Sequence, residues 1–237
     1  MFFIIGTVVV LGSVVGGFLW SGGNLLLLWH PSEVVVICGA ALGAFMISNP
    51  MKIVKESFSD ALGLFKGPKY KRSDYVDILK LIYDILSKLR KEGVLALEQH
   101  IEKPESSDLF KQYPNILSDH HLTEFITDCL RLMVSGNLEA HALESLLEYE
   151  LETHHHEAAA PSQAVQKVAD ALPGFGIVAA VLGIVNTMAA LDGADTNTIG
   201  MTVGAALVGT FLGIFVAYGL VGPISAAMEH RANDEGK

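Results

Sequence analysis

The stretch Leu172–Gly193, LPGFGIVAAVLGIVNTMAALDG, decides how the rest of the chain is read. Its uncharged part, Pro173–Leu191, is long enough to cross a bilayer, which takes about 20 apolar residues with roughly 17 as the lower limit. Yet it opens with Pro173, Gly174 and Gly176, the residue types that hold a helix least well. In an ordinary helix interior each costs roughly 1–3 kcal/mol. Membrane helices tolerate them where neighbouring helices re-satisfy the backbone, or where the chain lines a pathway or must bend. The stretch therefore predicts a spanning helix whose first turns do more than cross the membrane.

Working outward, three more stretches are long enough to span. Met1–Trp20 carries no charge, and it lacks the basic start and short apolar core of a cleavable signal, which predicts a retained span. Val34–Met51 is short but uncharged, and Ile199 begins an uncharged run that reaches Met228. The whole 237-residue chain fits this reading, with 51% hydrophobic and 18% charged residues and a mean hydropathy of +0.41. That is too apolar for a soluble domain and points to a membrane protein with a sizeable polar part. A net charge of −10 argues against nucleic acid as a partner. Cys38 and Cys129 show no metal or redox spacing and read as buried thiols.

Basic residues set the expected orientation. The connections Ser21–Glu33 and Asp192–Thr198 have neither Lys nor Arg, whereas Lys52, Lys55, Lys66, Lys69, Lys71 and Arg72 crowd just after the second span. The positive-inside rule then places the middle segment and both termini in the cytoplasm. The expected organisation is a transmembrane hairpin over 1–51, a cytoplasmic helical domain over 52–168, a second hairpin over 169–228 and a tail over 229–237. The fold class is all-α, with four transmembrane helices and the large helical domain inserted between the second and third spans.

Within the middle segment Val76, Leu79, Ile82, Leu86 and Leu89 keep a helical period, with Ser73 as N-cap. Phe125, Ile126, Cys129, Leu130 and Met133 form a second stripe ended by Gly136. Asn137 is expected to cap a third helix that turns Leu143, Leu146, Leu147 and Leu151 inward. The spans carry small residues at spacing four: Gly12/Gly16, Gly39/Gly43, Ala179/Gly183 and Gly209/Gly213/Ala217. Such stripes let backbones approach closely, either within one subunit or against further subunits.

Little in the chain resembles an enzyme: there is no Walker loop, zincin motif, GxSxG or CxxC. His154, His155 and His156 could bind zinc or copper, but consecutive residues on a helix point in different directions, which favours a solvated helix end. Ion conduction usually needs an ionisable residue at membrane depth. The four spans as bounded here hold none; their deep polar side chains are Ser13, Asn186, Thr187, Thr202, Thr210 and Tyr218. A titrating group is then expected from another subunit, with this chain supplying the wall of the pathway. Around Gly93 the stretch KLRKEGVLALEQHIEKP gathers Lys88, Arg90, Lys91, Glu92, Glu98, Glu102 and Lys103, either a solvated face or a dock for a charged partner.

Taken together, GGNLLLLWHPSEVVVICGAALGAFMISNP, SKLRKEGVLALEQHIEKP, LPGFGIVAAVLGIV and LVGTFLGIFVAYGLVGPI resemble the MotA family of flagellar motor stator subunits, in the same order and over essentially the whole chain. ExbB and TolQ are its wider relatives. The resemblance implies a multi-pass protein of the bacterial inner membrane, without a cofactor. Five copies would surround two MotB chains, whose membrane helix supplies the ion-binding aspartate. It implies that charges matching Arg90 and Glu98 engage the rotor protein FliG. It also implies that Pro173 and Pro223 are the family's functional prolines, the first beside the partner's aspartate. Sodium-driven relatives carry a threonine where Ala180 stands here, while their fourth-span threonine is matched by Thr210. With one hydroxyl missing, H⁺ is expected rather than Na⁺. Family members continue beyond a point matching Lys237 with a longer charged tail, so a truncated tail is expected. The alternatives are an ExbB- or TolQ-like energiser of outer-membrane processes, and a structural or metal-handling four-span protein.

Overall fold

A computed structural model describes residues 2–65, 70–135, 140–189 and 196–236. All regular structure among the described residues is helical. The helices are α1 (Phe2–Trp20), α2 (Pro31–Ser48), α3 (Met51–Gly63), α4 (Arg72–Glu92), α5 (Leu95–Glu102), α6 (Pro114–Ser118), α7 (His120–Ser135), α8 (Ala140–Ala189), α9 (Thr196–Val216) and α10 (Gly222–Glu235). A π-helical turn, Ala217–Val221, joins the last two. The chain divides into two units, Met1–Gly67 with His156–Lys237, and Pro68–His155. The division expected at 168/169 falls inside α8, which runs unbroken for 50 residues through Pro161 and Pro173.

Among the described residues, four helical stretches are long and apolar enough to cross a membrane: Phe3–Trp20, Leu25–Ser48, His141–Ala189 and Ile199–Glu235. Pro31 opens α2 at the position where its missing N–H costs nothing. The helix stops at Ser48 because Asn49 precedes Pro50, whose ring forces the residue before it into extended backbone (φ −130°, ψ 142°). The expected second span, 34–51, is thus shifted: its helix starts three residues earlier, and Met51 already begins α3. Asn49 Nδ2 donates to the Phe45 carbonyl (2.8 Å) and Ser48 Oγ to the Ala44 carbonyl (2.8 Å), so the helix end keeps partners for its carbonyls.

The core of the first unit is small. Ile37, Ala41, Leu172, Ala179 and Ala217 pack together, and Phe45, Val54 and Ala164 form a second cluster beside α3. Two buried hydroxyls tie elements to α8: Ser57 Oγ donates to the Pro161 carbonyl (3.3 Å) and Ser225 Oγ to the Ser162 carbonyl (2.8 Å).

The second unit is a helical cluster around Leu81, Ile85, Leu97, Ile101, Phe110, Ile116, Ile126 and Leu130, with Ile78 and Leu89 against it. Here α4 buries a different face from the one expected. Val76, Leu79, Ile82 and Leu86 are exposed, Leu79 at 68%, while Ile78, Leu81 and Ile85 face inward and only Leu89 belongs to both sets. The helix is apolar on two sides, so its period alone could not choose between them. Its start is set by Lys71 and Asp74 rather than Ser73: the Lys71 N–H donates to Asp74 Oδ2 (2.8 Å), and Ser73 lies within the helix. In α7, Ile126 and Leu130 are buried as expected, but the inner face continues through Thr123 and Thr127, while Met133 is exposed. Leu146 and Leu151 of α8 are exposed rather than turned inward. The expected cap Asn137 and the stop at Gly136 lie outside the described residues.

Candidate functional site

The close approach of α8 to α9 answers why a spanning stretch opens with glycine. A Cβ on Gly176 would stand 3.0 Å from the Gly209 carbonyl oxygen, 3.1 Å from Gly213 Cα and 3.4 Å from Thr210 Cα. A Cβ on Gly213 would meet Gly176 Cα and the Leu172 oxygen, both at 2.8 Å. Backbone stands on both sides of this contact, so no side chain can move aside for a methyl group. Further along, a Cβ on Gly183 would stand 3.0 Å from Ala206 Cβ. The third-span and fourth-span small-residue stripes therefore meet each other within one chain. Gly174, Gly12, Gly16, Gly39 and Gly43 have nothing within 4 Å and serve no such contact among the described residues.

Pro173 lies half-buried just before this contact, inside α8. Its ring removes one helical hydrogen bond and crowds the Ala169 carbonyl. Ala180 is buried at 9% exposure, and its backbone nitrogen lies 3.4 Å from where a Cβ on Gly209 would be. Ala180 and the Gly209–Thr210 pair thus face each other across the two helices. Pro223 stands apart from them, exposed in the first turn of α10. The π turn just before it is closed by the Gly222 N–H donating to the Ala217 carbonyl. A wider turn at that point makes room for the proline ring. Pro223 lines a cavity of about 390 Å³ with Phe3, Thr7, Phe65 and Gly219.

One residue of this site was missed from the sequence. Glu33 was assigned to the outer connection, but it lies in α2 within the 24-residue apolar stretch Leu25–Ser48. It is buried at 7% exposure, and its Oε2 has no hydrogen-bond partner among the described residues. That oxygen stands 2.7 Å from where a Cβ on Gly209 would be. The expectation of spans without an ionisable residue is therefore corrected: this chain places a carboxyl group against the wall formed by Ala180 and Gly209–Thr210. The signal was the uncharged run continuing through Asn24–Trp29 ahead of Pro31, which extends the span toward the N-terminus.

Within the first unit a charged cluster joins α3 and α10. Arg231 Nε donates to Glu235 Oε1 (2.6 Å), and its Nη1 is buried under Gly63. Burial raises the Asp60 carboxyl above its ordinary range, and the nearby Arg231 charge partly offsets this.

The rotor-side candidates lie in the second unit. Arg90 sits in the last turn of α4 and Glu98 in the first turn of α5, both exposed. Between them Gly93 adopts φ +82°, ψ 178°, a backbone region that L side chains avoid, and its N–H donates to the Leu89 carbonyl (3.0 Å). Among the described residues Lys88 pairs with Glu92 in this stretch (3.5 Å), and neither Arg90 nor Glu98 joins an ion pair. His154, His155 and His156 are exposed on α8, and no group of three potential ligands is placed to hold a metal among the described residues.

Comparisons with known proteins agree with this architecture. Residues 4–93 match the family described as motility protein A N-terminal. Residues 117–237 match the MotA/TolQ/ExbB proton channel family. Motility protein A of Salmonella typhimurium is 40% identical over 237 residues, covering 100% of this chain and 80% of the relative. Chemotaxis protein LafT of Vibrio parahaemolyticus is 44% identical over 227 residues, 96% of this chain and 79% of the relative. Two solved structures share the fold at 23% identity. That of C. jejuni MotAB has a TM-score of 0.72 and covers 99% of this chain and 83% of its counterpart. That of the flagellar MotAB stator complex from Bacillus subtilis has 0.71, with 98% and 83% covered. A buried α8/α9 contact, four membrane-length helices and this similarity over the full chain lead to one assignment: the chain belongs to the motility protein A family of flagellar proton-channel subunits, which are not enzymes.

Proposed function

We propose that this chain is the wall-forming half of a flagellar stator: with a MotB-type partner that brings an aspartate, it passes protons across the inner membrane and turns their flow into torque on FliG. Ala180 facing Gly209–Thr210 carries this reading. It is a tightly packed small-residue seam with Pro173 at its start, which holds α8 and α9 together as one wall against which a partner's membrane helix can pack. The four spans run with both termini and the 52–168 segment in the cytoplasm, following the basic residues after the second span. Five copies surround two partner chains. The empty approaches at Gly12, Gly16, Gly39 and Gly43 support such packing between copies, since one chain leaves those stripes uncovered.

Neutralising the partner's aspartate changes which wall geometry is favoured, and Pro173 is where α8 can yield. A proton crossing the field releases about 2.3 kcal/mol per 100 mV. Arg90 and Glu98, exposed either side of Gly93, offer opposite charges to the rotor. The test is complementation: the chain and its cognate partner are expressed in a strain without stators, and swimming and proton uptake are recorded. Restored swimming with proton uptake supports the reading, and membrane-inserted protein that yields neither refutes it.

A further inference from the structure

We propose that Glu33 is a proton-binding site of this chain, a relay on the pathway that loads the partner's aspartate. The inference rests on the stator reading above and adds a second carboxyl group to a route expected to need only one.

Three observations carry it. Glu33 is buried at 7% exposure within a membrane-length apolar stretch, where an ionisable side chain is costly and marks an ion path. Its Oε2 has no hydrogen-bond partner among the described residues. And that oxygen is aimed at the Gly209 backbone, beside Thr210 and opposite Ala179 and Ala180, so it lies in the α8/α9 seam whose helices the stator reading makes the wall of the pathway. Gly209 is what admits it: a Cβ there would stand 2.7 Å from Oε2.

The surroundings favour a proton over a metal cation. An ionised carboxylate removed from water needs a positive neighbour, several donors, or a proton. The helices that meet it, α9 and the 173–189 part of α8, contain no Asp, Glu, Lys, Arg or His. On its own element, His30 caps the start of α2 three residues before it. Ala179, Ala180 and Gly209 offer no side-chain oxygen to share a cation, and Thr210 beside them offers a single hydroxyl. Binding and release interconvert carboxylic acid and carboxylate at one oxygen; no other bond changes. The proton arrives from the side of the membrane at which α2 begins and leaves to the partner's carboxylate.

The experiment uses the full complex with its partner, in liposomes carrying a pH-sensitive dye, and in films for infrared difference spectroscopy between acidic and neutral pH. Glu33→Gln keeps the size of the side chain but cannot exchange a proton; Glu33→Asp keeps the chemistry. The Gln variant should assemble in normal amount, conduct about 100-fold less, the low end for losing a positioned proton-transfer group, and lack one protonated-carboxyl band. The Asp variant should conduct measurably and shift that band. Wild-type conduction by Glu33→Gln with every carboxyl band intact overturns the proposal. Should the Gln variant fail to assemble, the Asp band decides: a shift supports the relay and an unmoved spectrum refutes it. A wild-type complex that neither conducts nor drives swimming instead refutes the stator reading itself, whatever Glu33 does.

Discussion

Gly213 and Gly12 are the same residue type in similar apolar helices, yet their neighbours differ completely. Gly213 is met by backbone at 2.8 Å on the α8 side, while Gly12 has nothing within 4 Å. Gly213→Ala should therefore destabilise the α8/α9 contact by roughly 1–3 kcal/mol, as overpacking against immovable atoms does. Lower accumulation of the variant in membranes and a reduced melting temperature of the purified complex would show it. Normal accumulation would mean that the two helices separate readily. Pro173 acts differently, because its neighbours already accommodate it. Pro173→Ala restores a backbone donor and straightens the point at which α8 yields. The variant should insert and assemble normally while swimming speed falls by about tenfold or more, as expected for a gating residue; normal speed at normal expression would count against a coupling role.

At the scale of elements, the α4–α5 turn sets a special backbone conformation between the two charges proposed to meet the rotor. Gly93 in its positive-φ conformation reverses the chain between Arg90 and Glu98. If the pair docks the rotor, Arg90→Glu and Glu98→Lys should each impair motility, and matched reversals on the rotor protein should partly restore it. Unchanged swimming by both variants would leave the stretch as a solvated face. On α5 itself, His100 Nδ1 lies 2.7 Å from Ser107 Oγ, and Ser107 Oγ also accepts from the Phe110 N–H (3.4 Å). Burial first, then the Lys88 charge, holds the His100 pKa below its ordinary 6.5. The folded state thus binds fewer protons here than the unfolded chain. Stability from neutral His100 is full above pH 6.5 and declines as pH falls through that value toward the lower folded one. Protection factors of the α5 amides, taken against the intrinsic exchange rate at each pH, should fall on acidification below 6.5, and His100→Gln should flatten that dependence.

For the whole molecule, the coupling ion depends on what the assembled wall offers. A dehydrated Na⁺ needs several oxygens in place of its water. Ala180 supplies none from its side chain, and Thr210 supplies one. Swimming driven by this chain with its cognate partner should survive removal of sodium and stop when a protonophore collapses the proton gradient. Speed that rises with sodium at fixed pH and vanishes without it would reverse the ion assignment and leave the stator reading standing. The uncovered stripes on α1 and α2 belong to this scale too: an image of the purified complex counting five copies around two partner chains would account for them.

Composition and run length determined the class of this protein, because a bilayer demands about 20 apolar residues from any helix that crosses it. The order of four such runs around a polar middle that opens with basic residues, and the turn at Gly93, were legible for the same reason: each is a local constraint on backbone or transfer energy. Three things needed the tertiary structure. The inner face of α4 was open because the helix is apolar on two sides, and only the packing of Leu81 and Ile85 on α5 and α7 chose one. Which small-residue stripes meet within the chain was open because Gly176 and Gly12 look alike until α9 is placed beside one of them. Glu33 read as a loop residue because a single charge ends an apolar run on paper. Its burial depends on Gly209, 176 residues later, leaving room for a carboxyl group, and a contact between distant segments has no signature in either one alone.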